Sequence, residues 1–264
     1  MGAFFILYAM LPELKDFFEE MMIKYYSFDF IINDPISIPH QYKIKEDIEI
    51  SGFLTAILSW GQRRMIIKKS VELMERMDNQ PYEFITQSGK HDLKSIQGFN
   101  YRTFNETDCL TIINSLKMIY VNDGGLEKVF TDGFHSDGAF GAIVNAYQKI
   151  FSYPHISRTR KHIANPMAGS AAKRLNMYLR WMVRDNEKEV DFGIWKQISP
   201  SQLICPLDVH SGNTARKLGL LTRPANDWKA ANELTANLRI FDSNDPIKYD
   251  FVLFGLGIDG YFKG

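Results

Sequence analysis

The chain has 264 residues, enough for one large domain or two intimate lobes, and its 45% hydrophobic and 23% charged side chains are ordinary for a soluble globular protein. Cys109 and Cys205 are the only cysteines, which excludes a disulfide framework or a four-cysteine cluster within the chain and fits a reducing cytoplasm. Net charge is zero, which argues against a strongly electrostatic nucleic-acid binder, but the charge is uneven: residues 1–50 hold nine acids and four bases, while 158–184 hold seven bases and no acid.

The apolar start, MGAFFILYAML, runs straight into acidic residues without a basic leader. It is shorter than the roughly 20 apolar residues a bilayer crossing needs and does not resemble a signal peptide, so it reads as a helical or extended first segment. Residues 12–26 are predicted helical, with Leu14, Phe17, Phe18, Met21 and Met22 on one side. The proline-punctuated NDPISIPHQY is a loop.

An apolar helix over 47–60 meets an interruption at Gly61-Gln62, and a second helix follows to about Met77, with a short piece starting at Pro81. Residues 90–103 are loop-like; 105–121 are helical until Asp123-Gly124-Gly125 stops them, and 138–152 are helical after a glycine-rich turn. A connecting loop then leads to a basic helix over 168–185, followed by helices near 199–204, 209–219, 227–239 and 246–257. No alternating strand pattern of useful length occurs, and the predicted fold class is all-α.

In the basic helix, Ala172, Leu175, Tyr178, Leu179 and Met182 form the apolar stripe. Lys173, Met177, Arg180 and Arg184 share another face, beside the small residues Ala168 to Ala171. Asp208, in CPLDVH, stands where an aspartate caps a following helix. By spacing alone these fit a solvated lysine and a helix cap. Those readings are compatible with a second one, an amine nucleophile with a partner carboxylate, the groups of Schiff-base chemistry. No HExxH, Walker or Rossmann pattern occurs, so neither a metal nor a nucleotide cofactor is expected.

Four segments, read together over roughly 47–258, resemble the helix-hairpin-helix DNA glycosylase superfamily, which includes endonuclease III and the 8-oxoguanine glycosylases. Leu58-Ser59 and Gln62, ahead of an amphipathic helix, look like its LLSxQ segment. GFNYRTFNETDCLTIINSLKMIYVNDGGLEKVF is similar to the aromatic-Arg turn, long helix and Gly-Gly-Leu of the 8-oxoguanine branch. GSAAKRLNMYLRWMVR stands where the hairpin's second helix carries the nucleophilic lysine, and PLDVHSGNTARKLGLL matches the segment carrying the common aspartate. Two departures are visible. The LPGxGxK hairpin is replaced by Asn165-Pro166-Met167-Ala168-Gly169-Ser170, and Lys173 and Asp208 lie 35 residues apart, as in the archaeal 8-oxoguanine glycosylases.

The resemblance implies a two-lobed helical fold with the active site in the cleft between lobes: residues 50–165 forming a central lobe, and 1–49 plus 166–264 a second lobe carrying the atypical hairpin. It implies a monomeric, cytoplasmic base-excision repair enzyme acting on double-stranded damaged DNA. Its substrate would be an oxidised purine such as 8-oxoguanine, and it would use no cofactor and no iron–sulfur cluster. Lys173 would attack C1′ and Asp208 would stabilise the developing positive charge. A free lysine, with a pKa of about 10.4, must first lose its proton, a loss that neighbouring Arg174 or Arg180 would favour. Gln62 would fill the gap left by the flipped base. Arg63, Arg64, Arg174, Arg180 and His210 would contact the DNA backbone. The alternative is a non-catalytic helical nucleic-acid-binding protein that retains the scaffold. Neutral charge and the missing hairpin glycines fit that reading, and the presence of both Lys173 and Asp208 opposes it.

Overall fold

The computed structural model describes residues 2–27, 31–89, 91–184 and 189–262, with side chains from Pro12 onward. The chain is mostly helical. In order, the helices are α1 Gly2–Tyr25, α2 Lys45–Leu58, α3 Arg63–Glu75, α4 Pro81–Gln87, α5 Glu106–Asn122, α6 Leu126–Ile150, α7 Lys173–Val183, α8 Val209–Lys217, α9 Trp228–Phe241 and α10 Asp250–Asp259. The one strand pairing among the described residues is a two-residue hairpin, β1 Asn100–Tyr101 with β2 Phe104–Asn105. No helix among them is long and apolar enough to cross a membrane.

The chain forms two compact units. One comprises residues 31–168 and 194–198, the other residues 1–30, 169–193 and 199–264. The sequence expectation put residues 31–49 with the second unit, but they pack in the first. There the tight turns Pro35–Ser37 and Pro39–Gln41 lie against α2, and the first of them also against α3.

In the unit built on 31–168, α2 is buried from Asp47 to Leu58. It packs with α3, α4 and α6 around Phe53, Leu73 and Phe130. Trp195 joins this core, its ring 5.4 Å from that of Phe130. Helix α5 starts on a reciprocal cap: Asn105 Oδ1 accepts from Asp108 N while the Asp108 carboxylate accepts from Asn105 N. Helix α6 begins directly after Gly125, so helical structure resumes well before the expected residue 138. It bends at Asp137 and Gly138, whose φ of +54° glycine adopts without strain.

In the other unit the core is aromatic. Phe18 lies edge-on to both Phe241 and Tyr249, with centroids 5.4 and 5.5 Å away. Helices α1 and α10 approach closely because Gly255 has no side chain; a Cβ there would sit 2.4 Å from the Tyr25 ring. The expected helix over 168–185 is shorter, Lys173–Val183. Upstream of it the backbone is committed elsewhere. Gly169 O accepts from Trp228 N at 3.1 Å, and Ser170 bridges antiparallel to Asp227, so those residues cannot join the helix.

Candidate active site around Lys173 and Asp208

Because Gly169 and Ser170 pair with the start of α9, the turn into α7 is sharp. Ala172 takes it in the left-handed region (φ +47°, ψ +38°), a conformation unfavourable for any residue with a Cβ. Buried Asn176 holds the turn from inside, its Nδ2 donating to Ala171 O at 2.9 Å. Lys173 is therefore the first residue of α7 rather than one turn into it.

Asp208 caps α8, and the cap engages one oxygen only. Oδ1 accepts from His210 N (2.8 Å), Ser211 N (2.9 Å) and Ser211 Oγ (3.2 Å), while Ser211 Oγ accepts in return from Asp208 N at 3.0 Å. Oδ2 faces the other way, 3.8 Å from Lys173 Nζ. Both side chains remain open to solvent, Lys173 at 29% and Asp208 at 24%. The rest of the amine's surroundings are soft and apolar: Met177 Sδ at 3.7 Å and the Phe254 ring centroid at 5.9 Å.

Deeper along the same face of α7, Arg180 lies over the Phe251 ring at 4.2 Å and donates from Nη1 to Asp250 Oδ2. Asp191 Oδ1 is 3.4 Å from Arg180 Nε. Burial raises the Asp250 carboxyl to about 6, while the Arg180 and Lys173 charges pull it down. The resulting array is one accessible amine, one accessible carboxylate and a buried carboxylate held by an arginine. Among the described residues no group of three or more His, Cys, Asp or Glu side chains converges as a metal site.

Residues 34–259 match a family described as "Protein of unknown function (DUF2400)". The chain belongs to the DUF2400 family. No curated protein and no solved structure matches it.

The remaining predicted residues of this DUF2400 chain separate sharply. Arg180 is corrected: at 5% exposure, with Asp250 and Asp191 on its guanidinium, it is an internal strut rather than a phosphate contact. Its charge is offset locally by those two carboxylates. Arg174 is half-buried, and burial pushes its guanidinium down to about 10, which leaves it cationic at neutral pH. His210 is exposed in the first turn of α8, its ring edge toward Phe254 at 6.4 Å.

Gln62, Arg63 and Arg64 belong to the other unit. Gln62 is an exposed residue at the N-cap of α3 whose side chain makes no cap hydrogen bond. Arg64 is exposed, whereas Arg63 reaches Asp34 Oδ2 at 4.0 Å.

Sequence reasoning missed Asp250 beside Lys173 and gave no role to Arg102, the arginine of the aromatic-Arg turn in the other unit. Asp250 gave no motif, although an acid opening the last helix of a chain with a buried-face arginine is a usable sign. Arg102 is exposed in the left-handed region (φ +55°), with its guanidinium 4.6 Å over the Trp60 ring just ahead of Gln62. Among the larger aromatic residues, Tyr178, Trp181, Trp195 and Phe251 are core. Phe254 is partly exposed and lies beside Lys173.

Proposed function

We propose that this chain is a base-excision DNA glycosylase with AP-lyase activity, built on a two-lobed helix-hairpin-helix glycosylase-like fold and acting on an oxidised purine such as 8-oxoguanine in duplex DNA. The observation that carries the reading is the approach of Lys173 Nζ to Asp208 Oδ2, 3.8 Å apart across 35 residues of sequence, with both groups accessible. A structural ion pair needs neither accessibility nor a carboxylate with one oxygen locked in a cap and the other aimed at an amine.

In this mechanism Lys173 loses a proton, which Asp208, the nearest carboxylate, relays to the departing base and so is itself ionised again. Its nitrogen lone pair attacks C1′ as the glycosidic bond breaks, and the bond's electrons leave with the base, which takes up a proton. Asp208, anionic in that transition state, stabilises the positive charge spreading over C1′ and O4′. Loss of one of the two protons left on the nitrogen and opening of the sugar ring, with a proton added to O4′, gives the protonated imine, which keeps the other. Removal of a C2′ proton then expels the 3′ phosphate and cleaves the strand. Phe254 offers a ring face to the displaced base, and His210, Arg64 and Gln62 supply polar contacts to the duplex.

The test is borohydride trapping on duplexes containing 8-oxoguanine or an abasic site, with an undamaged duplex as control. Wild type is expected to form a covalent adduct and Lys173→Ala none. An adduct that persists in Lys173→Ala, or none from wild type with either lesion, sinks the proposal. One observation favours a second reading, a nucleic-acid-binding protein without chemistry: the segment that stands in place of the hairpin is paired with the start of α9, Gly169 O accepting from Trp228 N and Ser170 bridging to Asp227. Tight, salt-dependent duplex binding with no adduct is its signature.

A further inference from the structure

The unit of residues 31–168 and 194–198 contains a cleft of about 320 Å³, formed where the start of α2, the end of α5 and the first turns of α6 meet. Its size suits a small ligand. Glu49 lines it at only 2% exposure, and burying a carboxylate is costly unless its oxygens are satisfied. Tyr120 Oη donates to Oε2 and Trp195 Nε1 to Oε1, both at 2.7 Å, which fixes the carboxylate at the cleft wall.

Lys45 places its ammonium 3.9 Å from Glu49 and in contact with Glu127, so the cleft already accommodates one ammonium supplied by the chain. Four carboxylates (Glu46, Glu49, Glu127, Asp132) nevertheless line it against two ammonium groups (Lys45, Lys128), a net negative field. Thr131, one turn beyond Glu127 on α6, also lines the cleft. It is 3% exposed, and its hydroxyl has no hydrogen-bond partner. Buried hydroxyls are seldom left unpaired, and a threonine inside a helix ordinarily bonds back to a carbonyl one turn earlier. The Tyr82–Tyr120 pair, edge to face at 5.5 Å, adds aromatic surface that attracts organic cations.

We propose that this cleft is a binding site for a small aliphatic ammonium compound, which donates to Thr131 Oγ1 and pairs with the Glu127 side of the cleft. An inorganic cation suits it less. The carboxylates do not converge as a metal site requires, whereas an alkyl ammonium engages one carboxylate, one hydroxyl and a ring face at once. The inference is independent of the chemistry proposed at Lys173.

Titration calorimetry of the full chain at low salt, with 1,4-diaminobutane as the probe and inorganic phosphate and Mg²⁺ in parallel, tests it. Saturable one-to-one binding of the diamine is expected for wild type. Thr131→Val, which removes only the unpaired hydroxyl, is expected to weaken binding about fivefold without lowering Tm. Glu127→Gln is expected to weaken it about tenfold or more. Absence of saturable diamine binding at millimolar concentration, diamine affinity unchanged in both variants, or tighter binding of phosphate or Mg²⁺ overturns the proposal. A Thr131→Val chain that gains Tm and keeps wild-type affinity does so too, because the hydroxyl is then only a packing defect.

Discussion

The two oxygens of Asp208 have separate duties with respect to Lys173. Oδ1 is held by the backbone of His210 and Ser211, and Oδ2 is left 3.8 Å from the lysine amine. A cap of this kind fixes a side chain that would otherwise rotate, so the carboxylate is aimed before any substrate arrives.

Substitution separates the two duties. Asparagine caps helices about as well as aspartate, so Asp208→Asn is expected to keep Tm within about 2 °C while borohydride trapping falls at least about a hundredfold. Asp208→Ala loses the cap as well, at about 1 kcal/mol, and lowers Tm by a few degrees. Melting curves and adduct yields on the same preparations check both.

Ala172 offers a second test. Left-handed backbone costs an alanine about 1–2 kcal/mol, more than the roughly 0.4–1 kcal/mol that glycine adds to the entropy of the unfolded chain. Ala172→Gly is therefore expected to raise stability by up to about 1 kcal/mol in chemical denaturation. A loss of more than that means the φ of +47° is not the native turn.

Asp250 predicts a pH dependence. Burial raises its carboxyl from the ordinary 3.8 to about 6, so the folded state binds this proton more tightly than the unfolded chain. The stabilisation is fully present below about pH 4 and is lost as pH rises through about 6, a change of roughly 2–3 kcal/mol. Denaturation from pH 4 to 8 is expected to show this slope in wild type and to lack it in Asp250→Asn.

At Gly255 the steric argument is simple. An added methyl meets the Tyr25 ring at 2.4 Å, and Gly255→Ala is expected to destabilise by about 1–3 kcal/mol. Urea unfolding measures it, and a neutral result would mean α1 and α10 are not packed this way.

Much of this was legible in the sequence. The helix-period stripes of α5 and α9 are strong because one side of each is buried, α2 is marked by its apolar run because it is buried all round, and Asp208 as a cap follows from its chemistry and position. The start of α7 was not legible, because Gly169 and Ser170 pair with Asp227 and Trp228, more than fifty residues downstream, and no local pattern encodes that pairing. Arg180 was misread for a related reason. Periodicity assigned it to the face of Lys173 correctly, but could not reveal that α10 places Asp250 and Phe251 against it.

The interlocking of Tyr25 with Gly255, and of its hydroxyl with Asp259 at 2.7 Å, bears on the order in which the protein is made. The unit of residues 31–168 is nearly continuous in sequence and needs only 194–198 to finish it. The other waits for α10 to leave the ribosome before α1 has its packing partner. Lys173 and Asp208 thus come together late in biosynthesis, after most of the first unit has been synthesised. A nascent chain stalled before Asp250 would carry both residues without the buried carboxylate that α10 brings beneath them.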